Sequence, residues 1–157
     1  MRGKQVVKRL AAPDPIYGSV IITKFINKIM RDGKKTVAQR LVYQAMDEIK
    51  TKGQDPLQTL QKAMENVSPK MEVRPRRVGG ASYQVPTEVR GDRKEALAIR
   101  WILSGAEARP NKEFHTFGLK LAAELLDAAN NTGIAIKKKE EIQKVANANR
   151  AFAHFRW

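Results

Sequence analysis

The chain has 157 residues, 42% of them hydrophobic, with 30 Lys and Arg against 16 Asp and Glu, a formal charge of +14, and no cysteine. That length suits one domain with a real core; the missing cysteine excludes disulfide scaffolds and Cys-type zinc sites, and no apolar run approaches the ~18 residues of a membrane span. The positive charge is well beyond the magnitude of about 2–8 that keeps a small domain soluble, and self-repulsion of that size is usually cancelled by a polyanion.

Residues 1–15 carry Arg2, Lys4, Lys8 and Arg9 with no acid before Asp14, and read as a basic arm. The arm lacks the apolar stretch of a secretory signal, so the chain reads as cytosolic, or as resident in an organelle that makes it locally. A first helix is predicted from about Ser19, with Ile22, Phe25, Ile26, Ile29 and Met30 at helical spacing and Lys24, Lys28 and Arg31 on its polar side. Gly33 breaks it. Lys34 and Lys35 then open a second helix, where free backbone amides favour an anion. "GKKT" resembles the end of a phosphate-binding loop, but Lys28 stands where that loop needs glycine, which rules out an NTPase. The second helix keeps its apolar stripe through Val37, Ala38, Leu41, Val42, Ala45, Met46 and Ile49, and Gly53 ends it. Asp55 and Pro56 suit the cap and first position of a third, with Leu57, Leu60, Ala63, Met64 and Val67 inward and Pro69 past its end.

"MEVRPRRVGGASYQVPTEV", residues 71–89, reads as a β-hairpin. Met71, Val73, Tyr83, Val85 and Val89 are apolar and odd-numbered, and a three-residue loop at Gly79, Gly80 and Ala81 keeps them on one face. That register opposes Glu72 to Glu88, mildly unfavourable; a two-residue turn avoids the clash but mixes the faces. The three-residue loop is the expectation. Pro75 and Pro86 lack ladder donors, so the ribbon is an arm and not the middle of a sheet. Arg74, Arg76 and Arg77 sit toward its tip, where the guanidinium fork matches phosphate, and Tyr83 offers a face for base stacking.

Asp92 with Glu95 forms a capping-box variant for a fourth helix, with Leu97, Trp101 and Ser104 on one face and Arg93, Lys94 and Arg100 around it. "NKEFHTFGLKLAAELLDAANN" repeats the helical pattern through Phe114, Phe117, Leu121, Leu125 and Ala128. A sixth helix is predicted over 132–149. Lys137, Lys138 and Lys139 fall in its first two turns against the helix dipole, partly offset by Glu140 and Glu141. The closing "AFAHFRW", in the tail 150–157, is too short to hold structure of its own. The fold class is mainly α: a single-domain bundle of about six helices with a protruding β-hairpin arm and basic N- and C-terminal tails.

Neither His115 nor His154 has a partner at metal-ligand spacing, and no GxSxG, HExxH or EF-hand loop is present, so no enzyme, metal or cofactor is expected. A DNA-architectural protein with an Arg-rich β-arm is the alternative, although the apex Gly79-Gly80-Ala81 lacks the apolar wedge such proteins insert.

The stretches "DPIYGSVIITKFINKIMRDGKKTVAQRLVYQAM", "EVRPRRVGGASYQVPTEV", "ALAIRWIL" and "AAELLDAANNTGIAIKKKEEIQKVANANRAFAHFRW" carry a resemblance over nearly the whole length. The chain resembles the universal small-subunit ribosomal protein S-seven family in its bacterial form. "LSGAEARPNKEFHTFG" matches least. The resemblance implies six helices with a hairpin extension, and one rRNA-binding domain over 1–157. It implies direct binding to the 3′ domain of small-subunit rRNA that forms the head, and early organisation of that head. The hairpin is expected near the exit site for tRNA and mRNA, and the C-terminal part beside ribosomal protein S-eleven. Carried onto this chain, the RNA surface is the N-terminal arm, Lys34–Lys35, the arm residues Arg74, Arg76, Arg77 and Tyr83, and Lys137 to Lys139. Localisation in the cytoplasmic ribosome follows, with a plastid not excluded.

Overall fold

The computed structural model describes Gly3 and residues 10–155, so the expectations for Arg2, Lys4, Lys8 and Arg9 and for the last two residues of the tail lie outside the described residues. Six α-helices and a two-stranded hairpin follow in order: α1 Val20–Ile29, α2 Lys35–Thr51, α3 Pro56–Val67, β1 Met71–Val78, β2 Ala81–Glu88, α4 Gly91–Ala108, α5 Phe117–Ala129 and α6 Ile134–Ala148. A 3₁₀ helix, Arg150–Phe155, closes them. Among the described residues no helix is long and apolar enough to cross a membrane.

The local chemistry explains most boundaries. Asp55 accepts from the Leu57 N–H while Pro56 takes the first helical position, so α3 starts where an amide would otherwise be orphaned. Thr116 does the same for α5 through the Leu119 N–H. α4 differs from expectation. It begins at Gly91 with Arg90 as its flanking residue and no side-chain cap, so Asp92 lies inside the first turn and the capping box does not form.

α5 is the central element, with α2, α3 and α4 packed around it. Its sequence alternates large and small residues, and Gly118, Leu121, Ala122, Ala123, Leu125 and Ala128 are all buried. Gly118 lets α2 approach closely: a Cβ there would meet Gln44 Oε1 at 2.6 Å. Leu97 and Trp101 face the core as expected, but Ser104 is exposed; the inward stripe of α4 continues through Ile102, Gly105 and Ala106. Phe114 falls before α5, where its ring lies 5.6 Å from the Arg109 guanidinium carbon.

Two polar nodes fasten the elements to one another. Asp14, 3% exposed, accepts from the Ile16 and Tyr17 N–H groups at 3.1 Å each and from the Tyr43 hydroxyl at 2.8 Å, fastening the entry segment to α2. Burial, with the hydrogen bond to Asp14 and the nearby carboxylate charge, raises the Tyr43 pKa; burial with Asp47 and Asp14 raises that of Tyr17. In the second node Glu124, fully buried in the middle of α5, accepts from Arg109 Nε at 2.9 Å and Nη2 at 2.7 Å. Its other oxygen accepts from the Ala135 N–H at 2.8 Å, in the first turn of α6. Arg109 also pairs with Asp127, and Lys120 donates to the Arg109 carbonyl. Burial pulls the Arg109 pKa down, but the bonds to Asp127 and Glu124 outweigh it and leave it raised. One carboxylate thus ties α5, the α4 exit and the α6 entry together.

Candidate nucleic-acid interface

The hairpin turns on two residues, not three. Met71 pairs with Glu88, Val73 with Pro86, Arg76 with Tyr83 and Val78 with Ala81. Gly79 and Gly80 make the turn with φ of 57° and 90°, the left-handed pair a type I′ turn demands and glycine supplies without strain. The three-residue expectation is therefore wrong by one position, and the two faces are mixed. The prolines explain why. The Val89 N–H donates to the Lys70 carbonyl, which marks the even-numbered β1 residues as hydrogen-bonded pairs. Pro75 and Pro86 then both fall in the other class, where a missing N–H costs no ladder bond. A register shifted by one puts one of them on the ladder.

One face of the ribbon carries Glu72, Arg74, Arg76, Tyr83 and Val85. Glu72 and Val85 are buried at the base. Arg74 Nη2 lies 2.5 Å from one oxygen of Glu72, and Arg93 Nε 3.1 Å from the other. Much of the charge of Arg74 and Arg93 is thus spent holding the arm to the start of α4. Tyr83 faces Phe152 and Phe155 with ring centroids 5.2 and 5.4 Å away. The ring proposed for base stacking therefore packs on the 3₁₀ helix, although it stays half-buried. The C-terminal segment, expected to lack structure of its own, forms that helix because the hairpin supplies it with an aromatic partner. Arg77 lies on the opposite face, across from Ser82, and both are exposed.

The cations of the body divide by partner. Lys24 is bonded to Glu95, Lys138 pairs with Glu141 at 2.7 Å, and Lys139 donates to the Asn66 carbonyl at the end of α3. Lys28, Lys34, Lys35, Arg100 and Lys137 are exposed and have no carboxylate partner among the described residues; Lys94 is half-buried, likewise unpaired. Lys34 and Lys35 follow a turn in which Asp32 and Gly33 both have positive φ. The first turn of α2 holds no acid and no side-chain cap, so its amides and both lysines favour an anion together. Lys70 and Arg90, exposed on either side of the hairpin base, were passed over in the sequence reading; their position just outside the strands was the available signal. His115 is exposed, and the His154 ring lies tilted against Phe155 with centroids 4.1 Å apart. Among the described residues no group of three or more His, Asp or Glu converges as a metal ion needs. What remains among the described residues is a scattered set of cations without a carboxylate partner, Lys28, Lys34, Lys35, Arg77, Arg100 and Lys137 among them, suited to phosphates.

The family model described as ribosomal protein S7p/S5e matches residues 1–150. The small ribosomal subunit protein uS7 of Fervidobacterium nodosum is 54% identical over 158 residues, covering all of both chains. That of Thermotoga neapolitana is 56% identical over 161 residues, again covering both entirely. That of Carboxydothermus hydrogenoformans is 56% identical over 153 residues, 97% of this chain and 96% of the relative.

Proposed function

Because the chain belongs to the ribosomal protein S7p/S5e family, we propose that it binds the 3′ domain of small-subunit rRNA directly and organises the subunit head around it. It is a structural protein of the small subunit in the cytoplasmic ribosome, in a family that is not enzymatic. The whole chain acts as one RNA-binding unit. Its hairpin reaches toward the exit site for tRNA and mRNA, and its C-terminal segment lies beside S-eleven. The family match favours this reading over the DNA-architectural alternative.

The observation that carries the RNA reading is the separation of the cations into two sets. Arg74, Arg93, Lys24 and Arg109 are engaged by carboxylates and build the protein. Lys28, Lys34, Lys35, Arg77 and Lys137 are left outward on different elements. Neutralising phosphates where RNA strands converge releases counterions, which supplies much of the affinity. Recognition then follows RNA shape, since A-form grooves hide base edges.

The test is a salt series of the full chain and of Arg76→Ala/Arg77→Ala on a 3′-domain rRNA fragment. The expected result is a slope of log K against log salt smaller in magnitude by about 1.5 for the double variant, from two lost phosphate contacts. An unchanged slope removes the arm from the interface. Equal binding of the unaltered chain to unrelated polyanions at moderate salt overturns the reading as a whole.

A further inference from the structure

A groove of about 600 Å³ lies between the end of α1, the turn into α2 and the middle of α4. Its apolar surface includes Leu41, Leu103 and Phe117, and its rim carries Lys28, Lys34 and Arg100. Glu107, also in the lining, is already bonded to Arg31 at 2.7 Å. Asp32 is the other acid there, against three cations without carboxylate partners among the described residues. Val37, on the wall, is 49% exposed, an apolar side chain left open beside a strongly basic rim.

A solvated basic face needs no apolar recess, and a simple phosphate site needs no room of this size. An apolar floor beneath a cationic rim fits a ligand with a flat apolar part and an anionic one, and the volume lies within the usual range of about 300–1,000 Å³ for small-molecule sites. Single-stranded nucleotides offer that pair of features: an unstacked base with a π-face, and a phosphate on each side. The rim cations belong to the set assigned above to phosphate contacts. We propose that this groove receives one unstacked nucleotide of the bound rRNA, its base on the floor and its phosphates at Lys28, Lys34 and Arg100. The proposal rests on the RNA-binding reading and narrows it: most of the surface reads shape, whereas this groove selects a nucleotide that has left its helix.

Two exposed positions allow a test without disturbing the core. Val37→Trp fills the groove, and Ser104→Glu sets a carboxylate in its lining. Each variant, checked for an unchanged far-UV spectrum and melting midpoint, is titrated with the 3′-domain rRNA fragment while nucleotide flexibility is probed chemically. The expected result is a loss of affinity of about five- to a hundredfold, the range found when one base-stacking platform is removed. It should come with restored reactivity at a single unpaired nucleotide that the unaltered chain protects. A photoreactive benzoylphenylalanine at position 37 should crosslink to that nucleotide in assembled subunits. If both variants bind with unaltered affinity and the same protections while Arg76→Ala/Arg77→Ala still lowers the salt slope, the groove proposal fails and the RNA reading survives. A crosslink to another protein alone, as an acidic peptide in the groove would give, also overturns it. Failure of the unaltered chain to prefer its RNA would instead sink the reading on which the proposal stands.

Discussion

Replacing Glu124 by alanine tests the account of the bundle most sharply. The side chain is fully buried and serves three donors: two nitrogens of Arg109 and the Ala135 N–H. Its removal leaves the Arg109 side chain, 14% exposed, with Asp127 as its remaining carboxylate, and orphans a buried amide in the first turn of α6. Breaking one side of a buried ion pair typically costs about 3–5 kcal/mol, a fifth or more of the about 5–15 kcal/mol that holds a domain folded. With a urea m-value of about 2 kcal/mol/M, the unfolding midpoint should fall by about 2 M. Arg109→Ala should cost a similar amount, because it leaves the carboxylate unpaired. Arg109→Met/Glu124→Leu should recover much of the loss, since both charges leave together. The loss should persist at high salt, unlike that of an exposed pair. A Glu124→Ala midpoint within 0.5 M of the parent, about 1 kcal/mol at that m-value, would refute the reasoning.

Gly105→Ala should destabilise by about 1–3 kcal/mol despite the better helix propensity of alanine, because its Cβ would lie 2.6 Å from Glu124 Oε1. Gly91→Ala at the open start of α4, with nothing within 4 Å, should be neutral or slightly stabilising, as paired melting curves will show. Gly79→Asn fits the left-handed φ of 57° and should slow amide exchange in the hairpin, whereas Gly80→Val should speed it, with α2 and α5 unaffected in both. The raised pKa values of Tyr17 and Tyr43 mean that the folded state keeps phenolic protons the unfolded chain loses near pH 10. Their stabilisation is full below pH 10 and falls as pH rises through the higher folded-state values; Tyr43→Phe should flatten that fall in denaturant titrations from pH 8 to 11.

The helices were legible because their signals are local. Ile22, Phe25 and Ile26 announce α1 by spacing, and Asp55-Pro56 announces α3 by cap chemistry. The hairpin was legible as a hairpin, but its register turned on a parity argument that apolar alternation pointed the wrong way; the two prolines held the answer. Which cations face outward was not legible. Lys24 finds Glu95, and Lys139 finds the Asn66 carbonyl, only once distant helices have packed. Nothing local in the sequence marks Glu124 as buried, since its partners come from the α4 exit and the next helix. The C-terminal segment was misjudged for the same reason: Phe152 and Phe155 have no partner until Tyr83 is placed beside them.

That aromatic contact also has a consequence in time. Roughly 70 residues separate Tyr83 from Phe152, and at about 5–20 residues per second a translating ribosome needs about 4–14 s to deliver the second after the first. For that interval the nascent ribbon emerges with its ring uncovered and its strand edges open, the condition that invites chaperones or wrong strand pairing. A polypeptide that ends between Ala148 and Phe152 has all six α-helices and still stays in that condition, so such a truncated product is betrayed by its arm.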